Sequence, residues 1–486
     1  MEIMMNCTHT TLRQLPLSTL IVALLAGPTA AMSTTGAADA AGRASAPTRH
    51  GATAPAATVR FYTNCDDDGL GSLRQAIAAS DSGDSVRASP TLSCSTITLQ
   101  SPLIFGQQDL DIRGLGMGRT VITAAAGVNG GLIVHLGSGQ LNLQDLTLTG
   151  GHKYRSDSQA RGGCVTGSGN VAINRSRITG CTAKGIGFEQ AVGGGIFSQG
   201  VTSLRLSEVS GNLAVSTGGE YASGGGIYAV GGIDIDRSVV SVNATASSAS
   251  SWGGGFTTAG ATEVVGSAII GNEAHVSGAA HIHPPAGADV IFTNTTVSGN
   301  SALRVGGITS TGVTTIASST ITDNTSIETS SGGRTLGAGL DLGSGTHVLT
   351  STIITGNLAG AGTVESSTNL GATSGAVLTG SHNHVSGSTL ALPGDTITIP
   401  LQLLPLALNG AMRPTHALRA SDPDVDAGTA PPGQTYDQRG FPFLRTVGSQ
   451  ADIGAYELDN DVIHRDGFDA TLYVVVSTEP QASTPR

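Results

Sequence analysis

Seven times along the middle of the chain, the same order of apolar and polar positions returns. A branched apolar residue stands at the centre of each copy, with another apolar residue five positions before it. A Ser or Thr precedes the centre by two positions, and an Asn, or a Cys in the first copy, follows it by three. The central residues are Ile178, Val209, Val240, Ile269, Val297, Ile321 and Ile354.

The copies follow one another at steps of 31, 31, 29, 28, 24 and 33 residues. The earlier apolar positions are Ile173, Leu204, Ile235, Val264, Phe292, Ile316 and Leu349. The hydroxyl positions are Ser176, Ser207, Ser238, Ser267, Thr295, Ser319 and Thr352. The polar corner positions are Cys181, Asn212, Asn243, Asn272, Asn300, Asn324 and Asn357. A less regular copy runs through Leu143, Leu146 and Leu148.

A period of this length without a helical pattern predicts a solenoid. One copy cannot bury its own apolar residues, but stacked copies place equivalent positions about 4.8 Å apart and join them into a continuous core. We therefore expect an all-β, right-handed, single-stranded parallel β-helix of the pectate-lyase type, with three short strands and three corners in each coil. Asn tolerates a left-handed corner, and its amide can bond to the Asn of the next coil.

Glycine clusters open the first strand of most coils and indicate a bend where only Gly fits. They are Gly193-Gly194-Gly195, Gly224-Gly225-Gly226, Gly253-Gly254-Gly255 and Gly306-Gly307. Composition agrees with a solenoid, because 70 of 486 residues are Gly, 12% are charged and 3% are aromatic. The helical patterns of a βαβ fold are missing.

The ends of the chain differ from its repetitive middle. Residues 1–31 have the positive start, short apolar run and small residues of a secretory signal peptide, and residues 32–57 read as a low-complexity linker. Residues 58–104 are predicted to form an N-terminal cap, because Ser72 and Gln75 make a capping box before an apolar helix face. The β-helix is expected over residues 105–400, a C-terminal cap over 401–458 and a tail over 459–486.

The cysteine count fits export. Four cysteines remain once Cys7 leaves with the signal peptide, and an even number in an exported chain favours disulfides. The nearest partners in sequence predict the pairs Cys65–Cys94 and Cys164–Cys181, and four buried free thiols are the alternative.

Both ends of the chain resemble exported bacterial proteins. The runs CDDDGLGSLRQAI and SCSTITL are similar to the N-terminal segment of secreted β-helix proteins of the CSLREA type. The runs THALRASDPDVDAG, YDQRG and DIGAYE resemble the C-terminal region of the choice-of-anchor Q family. Asp422-Pro423-Asp424-Val425 departs from that pattern, since a sequence of the Ser-Pro-Ala-Ile type is expected there. The resemblance implies secretion or surface display, in a Gram-negative bacterium, and no known reaction.

The β-helix fold raises the question of polysaccharide chemistry. Inverting hydrolysis needs two carboxylates about 6.5–9.5 Å apart. Asp234 and Asp236 alternate with apolar residues in a single coil, so both are expected to point outward, near Arg205 and Glu263 of the adjacent coils. No repeated carboxylate cluster of the hydrolase or lyase type stands out.

The loop after the Asn position varies most in length and offers the best candidate surface. Tyr221 and Trp252 could stack on sugar rings, with Lys184 and Glu220 as further ligand-binding candidates. For proton transfer in a lyase reaction the candidates are His281, His283 and Arg304. Other members of this loop face are Glu189, His275 and Arg334. Ordinary solvated loops are the alternative.

Metal binding is a further hypothesis. His281 and His283 share one face of a strand and could bind a metal with His275, and His382 and His384 have the same spacing. A chance surface pair is the alternative in both cases. Calcium is the one cofactor left open, at Asp422, Asp424 and Asp426, or at the run Asp66–Asp68.

A net charge of −11 without basic runs argues against nucleic acid and acidic membranes as partners. Past the signal peptide no segment is long and apolar enough to insert into a membrane. The sequence therefore favours an exported, non-catalytic scaffold that is adhesin-like or contacts a polysaccharide or a cell-surface glycan. The alternative is a polysaccharide lyase or glycoside hydrolase acting along the loop face.

Overall fold

The computed structural model describes residues 57–328, 330–331, 334–360, 364–365 and 368–459. The predicted signal peptide, the linker up to residue 56 and the tail from residue 460 lie outside the described residues. Among the residues described, no helix has the length and apolar character needed to cross a membrane.

The stacked coils form three long parallel sheets. Sheet 1 has 12 strands: Val59–Tyr62, Ser85–Ala88, Leu110–Arg113, Gln140–Gln144, Asn170–Asn174, Val201–Arg205, Gly232–Asp236, Ala261–Val265, Val290–Thr293, Thr314–Ala317, Gly345–Thr350 and Ala376–Ser381. Sheet 2 has 11: Thr96–Leu99, Val121–Ala124, Thr147–Thr149, Arg177–Thr179, Glu208–Ser210, Val239–Ser241, Ala268–Ile270, Thr296–Ser298, Thr320–Thr322, Ile353–Ile354 and His384–Val385. Sheet 3 has 10: Leu103–Phe105, Ile133–His135, Val165–Gly167, Ile196–Ser198, Ile227–Ala229, Phe256–Thr258, Ala280–Ile282, Ile308–Ser310, Leu340–Leu342 and Leu370–Ala372.

The predicted β-helix is confirmed, with more strands in the coils from residue 140 onward than the sequence indicates. Sheet 4 contains His152–Arg155, Thr182–Gly185, Leu213–Ser216, Ala244–Ser247, Glu273–Ala274, Ser301–Ala302, Thr325–Ser326, Leu358–Ala359 and the antiparallel edge Val364–Glu365. Sheet 5 contains Ala160–Arg161, Ala191–Val192, Ala222–Ser223 and Ser251–Trp252. An antiparallel pair joins Ser330–Ser331 to Arg334–Thr335. The segments expected as loops after the Asn positions are thus partly strands, because stacking pairs their backbone groups with the next coil.

The apolar columns lie in register inside the coils. Ile178 pairs with Val209 and Val209 with Val240 in sheet 2, while Ile173 pairs with Leu204 in sheet 1. All five side chains are buried. The same registers extend toward the N-terminus, so strands within the predicted cap already belong to the solenoid. Ile97, for example, pairs with Ile122.

The asparagine ladder forms and runs one rung further than predicted. From Asn243 onward, each Asn side-chain oxygen accepts hydrogen bonds from the backbone N–H and the side-chain amide of the preceding Asn, as Asn272 does from Asn243 at 3.0 Å. Asn369 adds the last rung by accepting from Asn357. The sequence suggested a left-handed backbone at the ladder residues themselves, but they do not have it. That conformation belongs to the residue before each of them, such as Gly211 (φ 63°) and Val242 (φ 54°).

The N-terminal end carries the single α-helix of the described residues, Leu73–Ala78. The Ser72 hydroxyl accepts from the Gln75 N–H at 3.1 Å, as the capping box predicts. The Gln75 side chain accepts from Gly71 rather than from Ser72. Leu73, Ala76 and Ile77 are buried against the first strands of sheets 1 and 3. Both predicted disulfides, Cys65–Cys94 and Cys164–Cys181, are present.

Residues 401–458 lie along the outside of sheet 2. Gln438 accepts from Thr296 at 2.5 Å, His416 contacts Ser298 at 2.8 Å, and the Ala455 N–H donates to Thr320 at 3.0 Å. This segment therefore binds to the side of several coils.

The runs DQRG and DIGAYE serve this packing. The buried Arg439 pairs with Asp437 at 2.7 Å, and its guanidinium lies about 4 Å from the ring centres of both Phe443 and Tyr456. Arg445 pairs with Glu457 at 2.7 Å. Two such buried pairs explain why these polar runs occur in a segment with few strands.

Candidate functional site

The most concentrated group of aromatic side chains lies where sheets 3 and 5 meet. A left-handed glycine separates the two strands in four successive coils: Gly162, Gly193, Gly224 and Gly253. The following glycines are packed tightly, since a Cβ on Gly194 would lie 2.2 Å from the Gly225 carbonyl oxygen. This turn brings side chains of sheet 5 across from the outward side chains of sheet 3. The Thr257 hydroxyl accordingly donates to the Trp252 carbonyl at 3.2 Å.

The rings form two short series, each running across neighbouring coils. Phe197 stacks on Tyr228 with ring centres 5.9 Å apart. Tyr221 lies 5.3 Å from Trp252, and Trp252 stacks on His281 at 6.2 Å. His281 meets His283 edge to face at 4.1 Å. We call this group the aromatic strip; it comprises Phe197, Tyr221, Tyr228, Trp252, His281 and His283.

Charged groups lie at both ends of the aromatic strip. The Arg161 guanidinium lies 5.0 Å from the centre of the Phe197 ring. Asp341 lies in the same outward column of sheet 3, two strands beyond His281. It is buried and forms a two-point ion pair with Arg334 at 2.7–2.8 Å. The surface is thus aromatic in the middle and ionic at its borders.

Burial sets the ionisation of the strip. It raises the pKa of the Tyr228 hydroxyl, as does Tyr221, while Arg161 opposes them. It lowers the pKa of His281 to about 3, with His283 adding to the effect, and it also lowers the pKa of His283. The two imidazoles are therefore neutral at physiological pH.

Several sequence candidates come together here and others do not. Tyr221, Trp252, His281 and His283 meet in the strip. Lys184 lies over the Tyr154 ring at 6.0 Å in sheet 4, and Arg304 pairs with Glu328 at 3.5 Å. Glu220 adjoins Tyr221 in the chain, and its carbonyl accepts from Ser247. Similarly, the Glu189 carbonyl accepts from Ser216, and the His275 carbonyl accepts from the Arg304 N–H at 3.1 Å.

A second acidic group lies on sheet 1. Asp234 and Glu263 are exposed and directly in register, and burial together with Glu263 raises the pKa of Asp234. Asp236 is held by Arg237 at 2.8 Å and by Arg205 at 3.7 Å. The outward orientation expected for Asp234 is observed, and Asp236 is half-buried.

The acidic runs considered for calcium do not converge. Asp424 is buried against His384, Asp422 accepts from the Arg419 N–H, and Asp426 accepts from Ser449 and Gln450. In the run Asp66–Asp68, Asp67 pairs with Arg74. Over the described part of the chain, no three His, Cys, Asp or Glu side chains are grouped to hold a metal ion.

The pairing expected for His382 and His384 is wrong. His382 has φ 56° and remains exposed, whereas His384 is fully buried. The left-handed corner breaks the alternation of an extended strand, so the two rings do not share a face. The buried partner of His384 is Asp424.

Sequence reasoning missed Phe197, Tyr228, Arg161 and Asp341. A signal was present, because Phe197 and Tyr228 each follow the Ile that ends a Gly-Gly-Gly-Ile opening. Aligning the coils on those openings would place both rings in one outward column. Arg161 and Asp341 occur once each and have no repeated counterpart.

Comparisons with known proteins give little beyond the fold. No family model and no curated protein matches the chain. A search of solved structures finds the crystal structure of the pectate lyase Pel9A, with a TM-score of 0.33 and 12% sequence identity, covering 83% of this chain and 96% of that chain. The resemblance to the CSLREA-type and choice-of-anchor Q families therefore stays a prediction.

Proposed function

We propose that this protein is an exported, non-catalytic β-helix scaffold of the bacterial surface that binds polysaccharide along the aromatic strip. The observation that carries the proposal is the group of half-buried rings at Tyr221, Tyr228 and Trp252, in which Trp252 lies one coil beyond Tyr221 along the stacking direction. Sugar rings pack against aromatic faces, and the coil spacing of about 4.8 Å is close to the length of one sugar residue.

The surroundings suit a neutral or acidic glycan. Hydroxyls of Thr166 and Thr309 lie in the same outward column of sheet 3 as Phe197, Tyr228 and His281. Both are half-buried and can accept from sugar hydroxyls, and Arg161 can contact a carboxylate at one end. The two disulfides are typical of exported proteins and support the proposed location.

The ion pairing of the candidate arginines and the ionisation of His281 favour a non-catalytic role. Arg304 and Arg334 are engaged in ion pairs with Glu328 and Asp341. The low pKa of His281 makes it a poor base near neutral pH. The competing function, a lyase or glycoside hydrolase, would rest on the acidic pair of Asp234 and Glu263.

The test is binding to a panel of acidic and neutral polysaccharides by affinity electrophoresis. Tyr228→Ala and Trp252→Ala should each weaken retardation by at least about fivefold, because each stacked ring contributes about 1 kcal/mol or more. Tyr154→Ala removes an exposed ring of sheet 4 and is the matched control. Equal retardation of all variants would refute the strip as the binding surface.

The same panel is assayed for new reducing or unsaturated ends, with and without calcium. The proposal predicts none. Product formation that is lost in Glu263→Gln would establish the enzymatic alternative.

A further inference from the structure

His281 and His283 belong to the aromatic strip, but the proposed polysaccharide binding does not depend on how their two rings face each other. Ile282 between them is buried in the core, so both imidazoles lie on the outer face of sheet 3. The Nε2 atoms of the two rings face each other within hydrogen-bonding distance.

Neighbouring hydroxyls fix the tautomer of each ring. The Ser277 hydroxyl donates its one proton to Thr309 at 2.7 Å, so toward His281 Nδ1, at 3.0 Å, it can only accept. The Thr311 hydroxyl donates to the Ile282 carbonyl at 3.4 Å and faces His283 Nδ1 at 3.1 Å. His281 Nδ1 therefore carries the proton and its Nε2 a bare lone pair, and His283 takes the same tautomer when Thr311 donates to Ile282.

Two lone pairs that point at each other repel unless a cation lies between them. A metal ion bound by both Nε2 atoms removes that repulsion. Neutral imidazole nitrogens suit Cu²⁺, Zn²⁺ and Ni²⁺, whereas Ca²⁺ and Mg²⁺ prefer oxygen. Hydrogen bonds from Nδ1–H to a second group are also what orients histidine ligands at metal sites.

We propose that His281 and His283 chelate one divalent transition-metal ion through their Nε2 atoms, with Cu²⁺ bound most tightly. Water completes the coordination, since no third His, Cys, Asp or Glu of the described residues joins the pair. His283 is exposed and can swing outward to admit the ion. Ser277 and Thr311 are positioning residues that hold the two rings in the ligating tautomer.

A fluorescent side chain lies close enough to this site to report metal binding. Trp252 is its single tryptophan, and its ring centre lies 6.2 Å from that of His281. Cu²⁺ bound to His281 should quench Trp252 fluorescence, because a paramagnetic ion so close to the indole opens a non-radiative path. Diamagnetic Zn²⁺ should bind without that quenching and should reverse the Cu²⁺ effect in competition.

The experiment titrates Cu²⁺ into chelator-stripped protein without polysaccharide. Saturable quenching at one equivalent, reversed by excess Zn²⁺ and unaffected by Ca²⁺, is expected. His283→Ala, whose exposed position should leave folding intact by circular dichroism, should shift the midpoint at least about tenfold. His152→Ala, in sheet 4, should leave it unchanged.

An unchanged midpoint in His283→Ala, or quenching that never saturates, would overturn the proposal. Thr311→Val provides an independent check, because it removes the acceptor for His283 Nδ1–H without removing a ligand. It should weaken Cu²⁺ binding by less than His283→Ala does, and no weakening would refute the tautomer argument. Because the titration contains no polysaccharide, a negative result would overturn only the metal site. The proposed polysaccharide binding is tested separately by affinity electrophoresis.

Discussion

At the scale of single residues, the asparagine ladder shows how a coiled backbone is satisfied in the core. Asn272 accepts from the Asn243 N–H and donates to the Val240 carbonyl, each at 3.0 Å, and all three residues are buried. A buried backbone group left without a partner costs about 1–3 kcal/mol. The ladder is therefore a requirement of the corner, which explains its recurrence in six of the seven copies.

We expect Asn272→Ala to lower the free energy of unfolding by about 3 kcal/mol, because it leaves the Asn243 N–H and the Val240 carbonyl without these hydrogen-bond partners. The urea midpoint of the purified protein measures this change. Asn129→Ala removes an exposed Asn that also makes two hydrogen bonds, and it should cost less than about 1 kcal/mol. Equal losses in the two variants would contradict the role given to the ladder.

A second residue-scale prediction concerns His384. Its Nδ1 lies 2.9 Å from Asp424 and its Nε2 lies 2.6 Å from the Ile399 carbonyl oxygen, and both side chains are fully buried. A ring that donates from both nitrogens is an imidazolium. Burial lowers the pKa of His384, but Asp424 and Ile399 outweigh it, so the pKa lies above 6.5 in the folded protein.

Because folding raises the pKa of His384, its contribution to stability is fully present below about pH 6.5 and is lost as the pH rises through the folded value. The thermal midpoint of the wild type should therefore exceed that of His384→Gln most at pH 6, and the difference should shrink toward pH 9. The thermal midpoint of Asp424→Asn should likewise fall below that of the wild type most at pH 6 and approach it toward pH 9. A difference that stays constant with pH would show that the imidazole is neutral in the fold.

At the scale of elements, Cys181 occupies the first position of the ladder. Its backbone N–H donates to Asn212 at 3.0 Å, while its sulfur bonds to Cys164, 17 residues earlier in the chain. A disulfide here thus replaces the amide rung that the other six copies use.

Because the disulfide takes the place of an amide rung, we expect Cys164→Ala/Cys181→Asn to be more stable than Cys164→Ala/Cys181→Ala. Both variants lose the disulfide, worth about 3 kcal/mol for a loop of this length. Only the Asn variant regains a side-chain amide for Asn212, which should restore about 1 kcal/mol. Urea midpoints under identical conditions measure the difference, and identical midpoints would mean that this first corner does not follow the ladder.

The elements also show what the sequence could and could not predict. Sheets 1 and 2 follow from the columns at Ile173 and Ile178, and sheet 3 follows from the apolar residue after each Gly opening, such as Ile196, because a buried position repeats from coil to coil. Sheets 4 and 5 carry short side chains such as Ala183 and Ala214, whose pattern is too weak to indicate strands. The meeting of Trp252 with Tyr221 could be predicted from coil stacking, but the contact of Phe197 with Tyr228 depends on a register that only the Gly openings reveal.

At the scale of the whole molecule, residues 401–458 link coils of the solenoid that are not neighbours in the stack. Stacked coils interact mainly with their neighbours, so stability is local along the axis. This segment contacts coils far apart in sequence, from Asn294 through Thr320 to Ser351. A small apolar cluster of Ile353, Leu418 and Ile453 anchors it.

We therefore expect a chain that ends at residue 400 to lose stability unevenly. Hydrogen exchange of backbone amides should accelerate in the coils between residues 290 and 390, because their outer hydroxyls lose partners and Ile353 becomes exposed. The coils between residues 96 and 270 should change little, since nearest-neighbour coupling decays along the stack. A chain that ends at Asp459 is the reference and keeps every contact described for the segment. Uniform acceleration along the whole solenoid would instead mean that the coils unfold as one cooperative unit, with the C-terminal segment stabilising all of them equally.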